Sequence, residues 1–429
     1  MIDWTTQVVV VTVSLLGAAA GAAGTFVLLR RRALLGDVMS HAALPGVALA
    51  FIVGTGIGMG RSLPALAIGA AATALAGAWS VSWIRRQTRL RDDAAMAIVL
   101  GCFYGLGVAL LGIVQSMPQG QQAGLTHLLL GHVASMTRVD LWSVLLGATV
   151  VLLFVVALFK EWRLLCFDEA FTRSIGRPAT RLDALLMATL GVVIVVGMQA
   201  AGLLVVVALL ITPAAAARAC TVRAGWMVAI AAAIGAASGA GGALLSSSAP
   251  DLPAGALCVL VACAAFGIAL CVGPAEGVLW RGLRRWRLEA RVRREHLLRA
   301  MWELSAPSAG PARDRQALLA RTPVSVASLL QRRTWSGPRL QALIRREVRM
   351  GNMRWGGAHD RVSLTPPGAA EARSVERIHR LWEEYLTRRA DIAPSHVDRD
   401  ADVIEHVLGP ELVAQLERDL DRRGGGALA

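Results

Sequence analysis

Nine separate stretches of this chain are apolar enough, and about long enough, to cross a bilayer, and that pattern decides most of what it can fold into. A hydrocarbon core takes ~20 apolar residues per helix. The stretches lie at about 7–29, 34–56, 62–84, 94–116, 140–159, 182–199, 200–217, 224–246 and 254–278. Between 182 and 217 only Gly197-Met198-Gln199 suggests a turn. Charge follows the same division. Residues 1–280 carry 16 Lys+Arg and 11 Asp+Glu, whereas 281–429 carry 28 and 19. The first part therefore reads as a polytopic membrane bundle and the second as a basic soluble region. A hydrophobic fraction of 55% rules out a disordered chain. All six cysteines lie in the apolar part without a framework spacing, which rules out a secreted disulfide scaffold.

Runs such as GAAAGAAG and ASGAGGALL bring helix backbones close together in lipid, so a tightly packed bundle is expected rather than a single anchor. With the N-terminus outside, 14 of the 16 basic residues of 1–280 fall on the inner side, leaving Arg61 and Arg138 outside. Arg30-Arg31-Arg32 then stop transfer after the first span, which speaks against a cleaved signal peptide. The same count puts the C-terminal region in the cytoplasm of a multi-pass cell-membrane protein. The outer stretch 121–137 is short for a span and reads as re-entrant or interfacial; its His127 and His132, five apart, do not share a helix face.

The chain holds a single lysine, Lys160, in Phe-Lys-Glu-Trp. A P-loop needs a lysine closing a Gly-rich turn, so ATP hydrolysis of that type is excluded on this chain, and no catalytic residue is assigned.

Ionisable residues inside a span are costly and are functional candidates by default. The second span, LLGDVMSHAALPGVALAF, carries Asp37 and His41 four apart, on one helix face, with Pro45 and Gly46 following. A carboxylate and an imidazole together suit a divalent Zn, Mn or Fe ion. Pro45 frees backbone carbonyls near them. Spacing alone leaves open that the two simply hydrogen-bond to each other.

RRRALLGDVMSHAALPGVALAF resembles the hallmark of zinc/manganese/iron-type ABC transporter permeases. CFDEAFTRSIGRPATRLD and LLVVVALLITPAAAARA match the same family in the same order, over about residues 5–280. The resemblance implies that Asp37 and His41 line the metal pathway. It implies a second permease (the same chain or a sister), a separate ATP-binding subunit and an extracytoplasmic metal-binding protein. It also implies that the loop 166–181 docks on the ATPase, with Glu169, Ala170 and Gly176 as the coupling residues.

Beyond the last span, 281–304 reads as a basic helix with an apolar stripe of Trp286, Leu297, Leu298, Met301 and Leu304, leading into a linker to 312. Next to a bilayer such arginines also anchor anionic lipid. Residues 313–365 read as a winged helix-turn-helix. Ser336 is the N-cap of the second helix, Gly351 closes it, and NMRWGGAHDRVSLT forms the wing. Arg339, Arg345, Arg346 and Arg349 on that helix are candidate DNA contacts. From 366 to 429 the chain reads as helical. His379 and Glu383 sit four apart, and Asp402, Glu405 and His406 fall on one face, a donor set fit for a divalent metal.

Residues 290–422 resemble the iron/manganese-dependent repressors of the diphtheria toxin repressor type, on SGP, LTPPGAAEA, HRLWEEYL and DADVIEHVL. The resemblance implies that His379 and Glu383 belong to one regulatory metal site and Asp402, Glu405 and His406 largely to another. The chain departs from the family at three places. His296 occupies the first-helix ligand position, Arg299 replaces a second first-helix acid, and Asp398 replaces a later histidine, with His396 nearby.

The expected fold is thus an all-α bundle of about nine transmembrane helices followed by a cytoplasmic winged helix and a helical metal-binding and dimerisation region. The expected function is the permease of an ABC importer for Mn, Zn or Fe ions, with a metal-sensing tail. The tail raises an alternative from another class, a membrane-tethered or released DNA-binding repressor. A third reading, a permease for a metal chelate such as a siderophore, is disfavoured by an aromatic content of only 5%.

Overall fold

The structure, a computed structural model, describes residues 4–56, 62–117, 136–249, 252–305, 322–332, 335–357 and 360–389. The first compact unit runs to Arg281. Its helices are α1 (Trp4–Leu29), α2 (Leu35–Gly56), α3 (Leu63–Gln87), α4 (Asp92–Ser116), α5 (Arg138–Ala157), α6 (Phe159–Phe167), α7 (Glu169–Ser174), α8 (Ala179–Ala201), α9 (Leu203–Cys220), α10 (Ala224–Ser246) and α11 (Ala254–Val272). All but α6 and α7 are long and apolar enough to cross a membrane, nine among the described residues.

Local chemistry sets several of the helix ends. Thr137 and Asp140 form a reciprocal capping box at the start of α5. Asp92 and Asp93 sit in the first turn of α4, and Arg85 and Arg86 in the last turn of α3, each opposite the helix dipole they complement. Two ends differ from the hydropathy reading. The break between the two adjacent spans falls at Gly202, whose φ is 89°, and not at 197–199. Gly197 instead stays helical because its bare backbone packs against Val206 and Leu16. The last span ends at Val272, six residues before 278, where Gly273 and Pro274 interrupt the helix.

The most buried spans are α1, α2, α8 and α9, whose core includes Val13, Phe26, Met39, Leu190, Ile194, Leu209 and Leu210. By contrast α4, α5 and α11 expose apolar side chains such as Leu106, Ile113, Leu146, Leu153 and Leu260, a surface suited to acyl chains. Helices α1 and α10 pack backbone to backbone. A Cβ at Gly17 would overlap the Gly235 carbonyl, and one at Gly235 would overlap that of Gly17.

The second unit begins at Gly282, inside the unbroken helix α12 (Val278–Ser305). It continues with β1 (Val324–Ser325), α13 (Val326–Arg332), α14 (Gly337–Arg349), β2 (Met353–Gly356), β3 (Arg361–Leu364) and α15 (Pro366–Arg389). The sheet order is β1-β3-β2, antiparallel, with Met353 opposite Leu364 and Val324 opposite Val362. Two helices are followed by a hairpin, and β1, which lies in a stretch read from the sequence as helical, adds a third strand to it. The core gathers Leu297, Leu298, Met301, Leu329, Ile344 and Val362. Trp286 is not on the buried stripe: it is 60% exposed, because only the second half of α12 meets this core. Residues 118–135, with His127 and His132, lie outside the described residues, as do 390–429.

Candidate functional site

Asp37 occupies the first turn of α2, where the helix dipole favours a negative charge. One turn on, His41 Nε2 lies 3.3 Å from Asp37 Oδ1, so the i,i+4 spacing does bring the pair together. Both side chains are partly open, at 32% and 22% exposure. The His41 ring is set by an edge-to-face contact with Tyr104 of α4, with centroids 5.0 Å apart and planes at 80°. His41 Nδ1 and Ser40 Oγ are buried with no hydrogen-bond partner among the described residues. Such atoms are rare in folded proteins, and here they leave an imidazole nitrogen uncommitted.

Pro45 lies inside α2 and has no amide to offer the His41 carbonyl, so the oxygen one turn below loses its helical donor. Neighbouring helices clasp this point. Gly46 meets the backbone of α3 at Gly69, and Gly107 of α4 sits on Leu44 and Pro45. The result is a carboxylate, an imidazole and a freed carbonyl on one turn-and-a-half of helix. No cluster of three or more His, Cys, Asp or Glu occurs among the described residues. A cation here would thus draw only two side-chain donors of those types from this turn of α2.

A second polar cluster lies at the ends of the helices. Arg32 reaches Asp183 at 3.2 Å and Asp92 at 3.4 Å, while Arg30 reaches Asp183 at 3.4 Å and Glu169 at 3.0 Å. The two arginine side chains are only 5% and 6% exposed. Glu169 also pairs with Arg173. Burial alone would raise the Glu169 carboxyl, but Arg30 and then Arg173 outweigh it and hold it below its ordinary value. Trp162 of α6 fixes the neighbourhood, stacking edge-on to Phe26 at 5.3 Å and donating from its indole to the Leu182 carbonyl at 3.1 Å. Burial here pushes the Cys166 thiol up to about 12.

The three predicted coupling residues are therefore one element: Glu169 and Ala170 open α7, and Gly176 ends it at a φ of 77°. The ion pairs place α7 at the same end of the bundle as residues 30–32 and the start of α4. Asp183 was within reach of the rule that singled out Asp37, an ionisable residue inside a span. Arg30, Arg32 and Asp92 gave no such signal, and neither did Tyr104.

In the second unit Arg339, Arg345, Arg346 and Arg349 are all exposed on α14. The opposite face is locked by the fully buried Glu347, which accepts from Arg294 at 3.0 Å and Asn352 at 2.9 Å. His379 of α15 is buried and meets Arg299 of α12, while His296 is half-buried on α12. Asp402, Glu405, His406 and the Glu383 side chain lie outside the described residues.

Comparison with known proteins agrees with this division. The profile of the ABC 3 transport family matches residues 2–273. That of the iron dependent repressor, metal binding and dimerisation domain, matches 365–423. The manganese transport system membrane protein MntC of Bacillus subtilis is 39% identical over 298 residues, covering 70% of this chain and 68% of the relative. The zinc transport system membrane protein TroC of Treponema pallidum is 37% identical, over 67% of this chain and 95% of that protein. Among solved structures, PsaBC from Streptococcus pneumoniae in complex with Fab superposes with a TM-score of 0.55 at 31% identity, over 64% of this chain and 94% of that one.

Proposed function

Because this chain belongs to the ABC 3 transport family, we propose that it is the permease of a divalent metal importer in which Asp37 and His41 contact the ion in transit. The observation that carries the site is the 3.3 Å pairing of a carboxylate with an imidazole at the start of a membrane helix, beside a carbonyl freed by Pro45. Mixed nitrogen and oxygen donors accept Mn, Zn and Fe alike. The relatives' names favour manganese or zinc. The remaining ligands come from water, from freed carbonyls or from the second permease of the pair. An ATP-binding subunit engages α7 through Glu169, Ala170 and Gly176, and an extracytoplasmic protein delivers the ion. The α7 end of the bundle faces the cytoplasm, in keeping with the arginine bias. The test is uptake of radioactive manganese and zinc by cells carrying Asp37→Ala or His41→Ala. Loss of both uptakes supports the assignment, and normal uptake by both variants refutes it.

The tail resembles a metal-binding and dimerisation domain, and by their spacing Asp402, Glu405 and His406 are among its candidate ligands. We propose that it slows the permease when cytoplasmic metal is plentiful. The four exposed arginines of α14 favour a second reading, in which the tail binds DNA. Truncation near 290 separates them. Loss of metal-dependent shut-off at constant transcript supports throttling, whereas a rise in the transporter's own transcript supports the repressor.

A further inference from the structure

A metal-responsive domain in this region implies a resident ion near His379, and the side chains around that histidine test whether one fits. His379 is 1% exposed, and Arg299 beside it is 6% exposed. Arg299 Nη1 lies 2.9 Å from His379 Nδ1. The same guanidinium has its Nε 3.0 Å from Glu303 Oε1 and 3.7 Å from Glu376 Oε2. Each carboxylate has a further cation, Arg332 at 3.1 Å from Glu303 and Arg380 at 2.7 Å from Glu376. Among the described side chains, three guanidiniums thus meet two carboxylates and an imidazole.

Arginine is a donor only and keeps its proton in proteins. His379 Nδ1 must therefore accept, which places the ring proton of the neutral imidazole on Nε2. A metal needs a nitrogen lone pair. Here one lone pair is held by Arg299 and the other nitrogen bears the proton. We infer that Arg299 is a built-in cation that stands where a metal ion would bind His379, joining α12 to α15 and excluding metal from that position. His379, with Arg299 seated on its Nδ1, does not fit an exchangeable ion. The α12–α15 contact is the same in metal-starved and metal-replete cells, and any metal response of the tail runs through residues other than His379.

The test counts Mn²⁺ bound per full-length chain in lipid nanodiscs by equilibrium dialysis, as differences between variants, so the result does not depend on which residues line the transport path. Wild type and His379→Gln are expected to bind the same number of ions with Kd values within twofold. Loss of one ion, or a tenfold weaker Kd, in His379→Gln overturns the inference. Arg299→Glu reverses the charge and is expected to gain one ion that His379→Gln then removes. A folded Arg299→Glu variant with no gain overturns the claim that the guanidinium is what keeps metal out. If that variant does not fold, the wild-type comparison decides alone.

Discussion

Arg32 and Asp183 meet at 3.2 Å with the arginine side chain 5% and the carboxylate 11% exposed, across 151 positions of sequence. The pair joins the turn before α2, which bears Asp37, to the helix that follows α7. Arg30 shares the same carboxylate and adds Glu169. Two buried guanidiniums thus link Glu169 of α7 and Asp183 of α8 to the turn that leads into α2.

Removing one partner of a buried pair costs about 3–5 kcal/mol, because the other charge stays desolvated. Asp183→Asn is expected to lower the thermal midpoint of the purified protein and to cut metal uptake at least tenfold at equal expression. An unchanged midpoint and full uptake would mean that Asp183 plays no part in coupling.

Tyr104 is predicted to act through its ring, which orients His41, and not through its hydroxyl. Tyr104→Phe should keep uptake within about twofold, whereas Tyr104→Ala should raise KM by about three- to tenfold, the worth of one aromatic contact of ~1 kcal/mol. Full activity of the alanine variant in a concentration series would contradict this.

Gly46 has no room for a side chain, because a Cβ there would overlap the Gly69 carbonyl and the Thr73 hydroxyl. Gly46→Ala should destabilise the α2–α3 contact by about 1–3 kcal/mol, as overpacking does. The expected readout is a lower melting temperature with reduced uptake, and Gly69→Ala should behave alike.

The Glu169 carboxyl is held below its ordinary value near ~4.3, so the stability it adds is complete above that pH and is lost as pH falls through its lower folded value. Wild type and Glu169→Gln should differ in melting temperature from pH 5 to 8 and converge in stronger acid. A gap that opens between pH 5 and 7 would assign the contribution to another group.

Much of this was legible from spacing and hydropathy because those signals are local. The nine spans follow from composition, and Asp37 with His41 from a separation of one turn. Helix ends were less legible. Gly197 and Gly202 look equivalent in sequence, yet one packs inside a helix and the other takes a positive φ. Contacts between distant segments were not legible at all. Arg30 and Arg32 counted as topogenic charges, and only the fold reveals that they share Asp183. Likewise Arg299 reads as a missing acid in the sequence, and only the neighbouring Glu303, Glu376 and His379 give it a role.

Helix α12 runs without interruption across the boundary between the two units. Permease and repressor-type domain are therefore made in a ratio of one to one. Gene dosage, unequal translation and dilution at cell division cannot alter that ratio.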